Sequence, residues 1–389
     1  MKKINLKNFW SEAKYFFRGV IKGQDNPPDW TLIGTIFFLT IFGLIMLSSA
    51  AVALGFERYG DSYWNVKHQI LFGLIPGIAL FIFFSRFDYY KLKRLAIFFL
   101  LGTIALLILV FIPGIGADWG TSRSWINFFG FSLQPSEIVK LTFLLYMVSW
   151  LSSRESRHLK NLQSGFLPFV FILAIVVLLL ILQPDTGTMM IIAVTSLIIY
   201  FVAGGSKIHL AWLTGAGFVG LWLLIKVSPY RTDRLTAFLH PELDPQGIGY
   251  HINQALLAVG SGGWFGKGFG HSRQKFAYLP EVAGDSIFAV IAEELGFFLC
   301  ALVVFAFLFL FWRGLKLAKN CRDPFGRLLI IGIISWFTFQ AFFNIGAISG
   351  ILPLTGIPLP FISYGGTALM TCLAAAGILV NISKHVKME

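Results

Sequence analysis

Along most of this chain, long apolar runs without a single charge alternate with short polar segments that hold nearly all of its lysines and arginines. The uninterrupted windows are 30 to 54, 68 to 85, 95 to 117, 165 to 182, 186 to 206 and 208 to 225. A hydrocarbon core of roughly 30 Å takes about 20 residues of helix, because the backbone there has to satisfy its own hydrogen bonds. Two further windows, 137 to 153 and 286 to 312, qualify if Glu137, Lys140, Glu293 and Glu294 are tolerated. The stretch from 328 to 383 carries no charge but is too long for one span. Its Pro353, Pro358 and Pro360 predict two helices joined by a non-helical hairpin, since proline lacks the helical donor and clashes with the preceding turn. The pattern therefore predicts an all-α polytopic membrane protein of about ten transmembrane helices.

The basic residues set an orientation. Counted near the helix ends, they fall in alternate segments: the N-terminal tail, Arg86 to Arg94, Arg154 to Lys160, Lys207, Arg313 to Arg327, and Lys384 with Lys387. The excess of Lys and Arg marks the cytoplasmic side, so both termini are expected there. Residues 1–29 then form a basic N-terminal segment, amphipathic over 4 to 21 and lying on the inner surface rather than acting as a cleavable signal. Residues 30–383 form one ten-helix membrane domain, with a large outer loop over 227–284, and 384–389 an inner tail.

Composition agrees with a bilayer: 56% of residues are hydrophobic and 13% charged, where a soluble domain carries about a quarter. The net charge of +12 is dispersed between apolar runs, so no nucleic-acid partner is indicated. Cys300, Cys321 and Cys372 form no Cys-x-x-Cys pair, and the seven histidines no metal-ligand spacing. Any metal would be a weakly held hard cation.

Polar groups at hydrocarbon are costly and usually face a bundle interior, which makes them functional candidates. Glu137 and Lys140 lie three apart on one face of the fourth helix. They read equally as a neutralising ion pair that locks the helix and as part of a substrate site. Asp185, in the turn between two apolar spans, reads first as a helix cap. The outer loop is basic and glycine-rich, with Arg231, Arg234, Lys267, Arg273 and Lys275 set against Asp233, Glu242, Asp244, Glu281 and Asp285. Cations without dedicated acidic partners beside a membrane suit an anionic headgroup such as a diphosphate, although each one taken alone reads first as ordinary solvated charge or a loop salt bridge. The run Gly260 to Gly270 is not a phosphate loop, because Ser261 and Gly268 break the required pattern. Asp285 stands at the outer rim of the eighth helix. Partial desolvation there would raise a carboxylate toward a useful base, but on spacing alone an N-cap, which stabilises by roughly 1 kcal/mol, is the simpler reading. Glu293 and Glu294 are either buried partners of basic side chains or part of a polar cavity.

Residues 123–140, 183–188, 233–296 and 358–366 resemble the SEDS family (shape, elongation, division and sporulation), the polytopic peptidoglycan glycosyltransferases of bacteria. Residues 233–241 and the run from Ser286 to Gly296 resemble the division (FtsW-type) branch more than the elongation (RodA-type) branch. The resemblance implies an enzyme, GT-C-like in mechanism, that polymerises lipid II, an undecaprenyl-diphosphate-linked disaccharide-pentapeptide. It implies action on the outer face of the inner membrane at the division site. By position in a Leu-Pro-Glu-x-x-x-Asp motif, Asp285 resembles the family's catalytic aspartate, which reverses the reading from spacing. Glu137 and Lys140 resemble an essential pair and Asp185 an outer-turn acid. Arg123, Arg231, Arg234, Lys267, Lys275, Ser363 and Gly365 complete the substrate-binding candidates. The implied partners are a class B penicillin-binding protein transpeptidase and other division proteins, and the implied cofactor, if any, is Mg2+ or Mn2+. Two departures are visible: Ala283-Gly284 stands where the family often has His-Thr, and Ser124 where it has a second basic residue. The competing readings are a transporter that flips the same precursor along Glu137, Lys140, Glu293 and Glu294, and a scaffold that only recruits a transpeptidase.

Overall fold

The computed structural model describes residues 26–113, 116–119, 122–128 and 131–387. The amphipathic segment expected over 4 to 21 lies outside them. Seven helices are long and apolar enough to cross a membrane: α1 (Trp30–Ala50), α2 (Trp64–Arg86), α5 (Leu162–Leu182), α7 (Lys207–Val227), α8 (Ile287–Asn320), α9 (Pro324–Ile348) and α10 (Gly366–Ser383). The apolar helices α3 (Ala96–Leu109) and α6 (Thr186–Val202) are shorter. Together with α4 (Pro135–Ser152), whose Glu137 and Lys140 lower its hydropathy, they bring the bundle to ten among the described residues. The molecule is a polytopic all-α membrane protein.

The interior of the bundle is built on α9 and α10, whose spans are 72% and 83% buried, whereas α7 buries none of its span and stands at the periphery. The bundle has two chemically distinct ends. At one, the Asp29 N–H donates to Ser383, its carboxylate pairs with Arg313 at 2.7 Å, Asn381 donates to Phe87 O, and Ser149 donates to Lys93 O. The first and last described helices therefore close together beside the basic turns. The opposite end carries the hairpin 349–365 and the segment from Ser228 to Ser286.

Two features depart from the sequence reading. The segment 113 to 136, expected as a plain outer loop, holds a three-stranded antiparallel sheet, β1 (Gly116–Trp119), β2 (Ser122–Phe128) and β3 (Phe131–Leu133), with Ile126 paired to both Gly116 and Leu133. The eighth helix is broken at Gly296 (φ 74°), where the glycine-rich run of the outer loop packs against it backbone to backbone. A Cβ on Gly296 would lie 2.3 Å from the Gly266 nitrogen, and one on Gly266 2.1 Å from Glu294 O. The glycines thus serve close approach between two backbones. Lys267 N and Gly268 N donate to Glu293 O and Glu294 O, the carbonyls freed at the break.

Candidate active site

The outer loop contains the helices Pro229–Leu239 and Tyr250–Ser261, and between them and the hairpin lies a cavity of about 230 Å3. Asp233, Arg234, His251, Asp285 and Leu354 line it. The N-cap of α8 is Ser286, so Asp285 stands one residue outside the helix and its carboxylate is free of the capping role. The backbone beneath it is fixed by Asn344 of α9, whose Nδ2 donates to both Asp285 O (2.7 Å) and Ile357 O (2.8 Å), while Tyr364 N donates to Ala283 O. Loop end, hairpin and α9 are thereby held as one unit around the acid.

Withdrawal from water raises the Asp285 pKa to about 6, against the opposing pull of the Arg234 guanidinium and the Ser286 hydroxyl. Arg234 stacks on Tyr230 and donates to Leu354 O at 3.2 Å. Gly356 (φ 70°) leaves the space between cation and acid open: a Cβ there would lie 3.7 Å from Arg234 Nη2 and 3.8 Å from Asp285 Oδ2. The cavity thus joins a weakly basic carboxylate and a fixed guanidinium, a pairing suited to removing a proton beside a developing anion.

The other predicted residues divide into three groups. Arg231 is one helical turn from Arg234 and donates to Ile181 O at 3.4 Å, leaving its buried Nε unpaired. Asp185 caps α6 through Oδ1, which accepts from Thr188 N at 2.9 Å, while its buried Oδ2 has no partner. These two sites have capacity for a ligand. Lys267 and Lys275 do not: both are taken up in loop salt bridges, the simpler reading of each alone, which corrects their place among the substrate-binding candidates. Lys267 pairs with Glu293 at 2.7 Å, and Lys275 with Glu294 at 2.9 Å as well as with Ser49 and Gly270 O. Glu293 and Glu294 further accept from Ser272, Ser49 and loop amides. These four charges clamp the loop onto the broken helix and do not line a conduit. Ser363 and Gly365 are likewise taken up in the hairpin: Ser363 Oγ accepts from Leu359 N, and Gly365 N donates to Gln69. Arg123 sits on β2, and its side chain lies outside the described structure.

Glu137 and Lys140 form a 2.8 Å ion pair, each side chain about 1% exposed. Lys140 also donates to Gln340 Oε1, and Gln340 Nε2 donates to Pro358 O in the hairpin. Gln340 and Asn344, one turn apart on α9, therefore tie the buried pair and Asp285 to the same hairpin. Sequence reading missed both, although two amides four apart in a charge-free run mark a single helical face. It also missed His251 and Ser286, for which the sequence holds no signal.

Among the described residues, no three His, Cys, Asp or Glu side chains come together to hold a metal ion. Among the described residues the carboxylates lining the cavity are Asp233 and Asp285, a pair that would hold a divalent cation only together with the phosphate oxygens of a substrate.

Fold and site define a polytopic membrane protein with a carboxylate–guanidinium cavity under a loop-and-hairpin roof. Residues 29–388 match the FtsW/RodA/SpoVE family model, described as cell cycle protein, and the chain belongs to this family. It is 40% identical over 362 residues to stage V sporulation protein E of Bacillus subtilis, covering 93% of this chain and 98% of that one. It is 38% identical over 363 residues to the probable peptidoglycan glycosyltransferase FtsW of Trichlorobacter lovleyi, covering 92% and 94%. Among solved structures it resembles a chain of a peptidoglycan synthase complex described as coordinating polymerization and crosslinking (TM-score 0.76, 26% identity, 93% of this chain and 99% of that one). It also resembles Thermus thermophilus rod shape determining protein RodA (TM-score 0.67, 25% identity, 93% and 98%).

Proposed function

We propose that this protein is a peptidoglycan glycosyltransferase that joins lipid II units into glycan strands on the outer face of the inner membrane, with Asp285 as general base. The observation that carries the reading is the cavity in which Asp285, its pKa raised to about 6, faces Arg234 across the bare Gly356 wall. The FtsW names of several relatives support the same activity. Asp285 accepts the proton of the acceptor sugar's 4-hydroxyl. The electron pair of that oxygen forms the new bond to the donor's anomeric carbon, and the polyprenyl diphosphate leaves with the pair of the broken bond. Arg234, with Arg231 one turn away, stabilises the charge on the departing diphosphate. One displacement inverts the anomeric centre, so a second carboxylate nucleophile is not needed. At about 230 Å3 the cavity is below the roughly 300–1,000 Å3 of a typical ligand pocket, which suits the reacting ends of two substrates whose remaining parts lie outside it.

The basic end of the bundle, which gathers the first and last described helices, faces the cytoplasm in this reading, and the Asp285 end faces outward. Glutamates engaged with lysines, loop amides and Ser49 count against the transporter reading, which required an open polar path. The partner is a class B penicillin-binding transpeptidase, in keeping with the synthase complex to which the fold is similar. Division is the proposed setting. The 40% identity to a sporulation protein favours a second setting, spore formation, with the same chemistry.

Purified protein in sealed lipid vesicles, offered lipid II on the outward side, tests the proposal. Glycan polymer should form without a second enzyme. Transfer of lipid II across the bilayer with no polymer would instead establish the transporter.

A further inference from the structure

Two polar side chains beside Asp285 have no role in the proposed reaction: His251, which lines the cavity, and Ser286, the buried residue next to the acid in sequence. His251, on the helix Tyr250–Ser261, places Nε2 2.7 Å from Ser286 Oγ, and Ser286 Oγ lies 3.3 Å from Asp285 Oδ1 as donor. Ser286 is fully buried, and on the preceding side Ala283 and Gly284 offer Asp285 no polar side chain. A serine hydroxyl has one proton. When that proton points at an ionised Asp285, the short contact to His251 requires the imidazole to be the donor, as the neutral Nε2–H tautomer. Burial, followed by the neighbouring Arg234, holds the His251 pKa down at about 4, so the ring stays neutral where the enzyme works.

We infer that His251 and Ser286 form a hydrogen-bond relay that positions Asp285, donating in sequence toward Oδ1 so that the carboxylate stays ionised and presents Oδ2 to the acceptor hydroxyl. His251 and Ser286 are positioning residues: neither receives the substrate proton. The proton passes from the acceptor oxygen to Asp285 Oδ2, as in the reaction above. The 3.3 Å contact is long for O–H···O and is of the kind that tightens when substrate closes the site. The charged groups facing the relay are Arg234 and Asp233 from the helix Pro229–Leu239, Glu281 from the loop, and Arg58 beyond Glu281. Of these, Arg234 lowers the Asp285 pKa independently of the relay.

This inference rests on Asp285 acting as base, and the test separates the two. The pH dependence of kcat/KM for lipid II polymerisation is measured with the full chain and with Ser286→Ala, His251→Leu, His251→Gln and Asp285→Asn. Removing a hydrogen bond to the charged form moves the acid limb of Ser286→Ala and His251→Leu upward by about one pH unit, some tenfold in rate on the acid side. His251→Gln, whose amide N–H replaces the donor, keeps the limb of the parent and shows that shape alone is not at issue. Acid limbs unmoved in both Ser286→Ala and His251→Leu, with Asp285→Asn inactive, would overturn the relay and leave the base in place. An active Asp285→Asn would remove both.

Discussion

At the scale of single residues, Asp285 works against the stability of the fold. Its folded-state pKa of about 6 lies above the ordinary carboxylate value of 3.8, so its contribution to stability is present at acid pH and is lost as pH rises through about 6. At neutral pH the ionised group is therefore a cost of up to about 3 kcal/mol, and Asp285→Asn should raise the thermal unfolding temperature there, with the gain vanishing below about pH 4. An unchanged or lowered unfolding temperature would contradict the desolvated acid. In the chemistry the sign is opposite: a base that must be ionised gives a rate that falls as pH drops below about 6, which a pH–rate profile reads directly. The resemblance singles out Asp285, where spacing alone favours an N-cap, the position that Ser286 holds. Which acids Lys267 and Lys275 pair with is not legible in the sequence, because Glu293 and Glu294 are some twenty residues away and meet them only through the backbone packing of the glycine run.

Among the elements, α4 poses the clearest question. Lys140→Ala leaves Glu137 charged and unpaired in the bundle interior and should destabilise by about 3–5 kcal/mol, whereas a Glu137→Gln/Lys140→Met double variant should recover most of that loss in thermal unfolding. If the pair also contacts substrate, the double variant regains stability without activity; if it only locks the helix, both return. In α8, Gly296→Ala forces a Cβ onto the Gly266 nitrogen in a left-handed backbone and should cost at least about 1–3 kcal/mol, with the loop loosened as seen by faster proteolysis. The ten helices were legible because hydrocarbon imposes length and apolarity on each. The sheet β1–β3 was not, since strands of four, seven and three residues carry too little alternation to separate from a loop. The break at Gly296 was equally hidden, because a glycine within an apolar run is compatible with continuous helix until the packing of the loop is seen.

Across the whole molecule, the active-site reading requires the Asp285 end to face outward. Cys300, Cys321 and Cys372 are all buried, so single surface cysteines can be labelled against a low background. Leu243→Cys in the outer loop should react with a membrane-impermeant maleimide in intact cells stripped of their wall, and His385→Cys near the C-terminus only after lysis; the reverse would invert the topology. Charge pattern alone predicts that orientation, while the arrangement of loop, hairpin and α9 around one acid depends on tertiary contacts among Gln340, Asn344, Pro358 and Tyr364 that no local pattern encodes. The most direct measurement is glycan-strand synthesis from lipid II by the purified protein beside its Asp285→Asn variant, matched for folded amount. The parent should build polymer and the variant fall by at least about 100-fold; polymer from the variant at the parental rate would contradict the account.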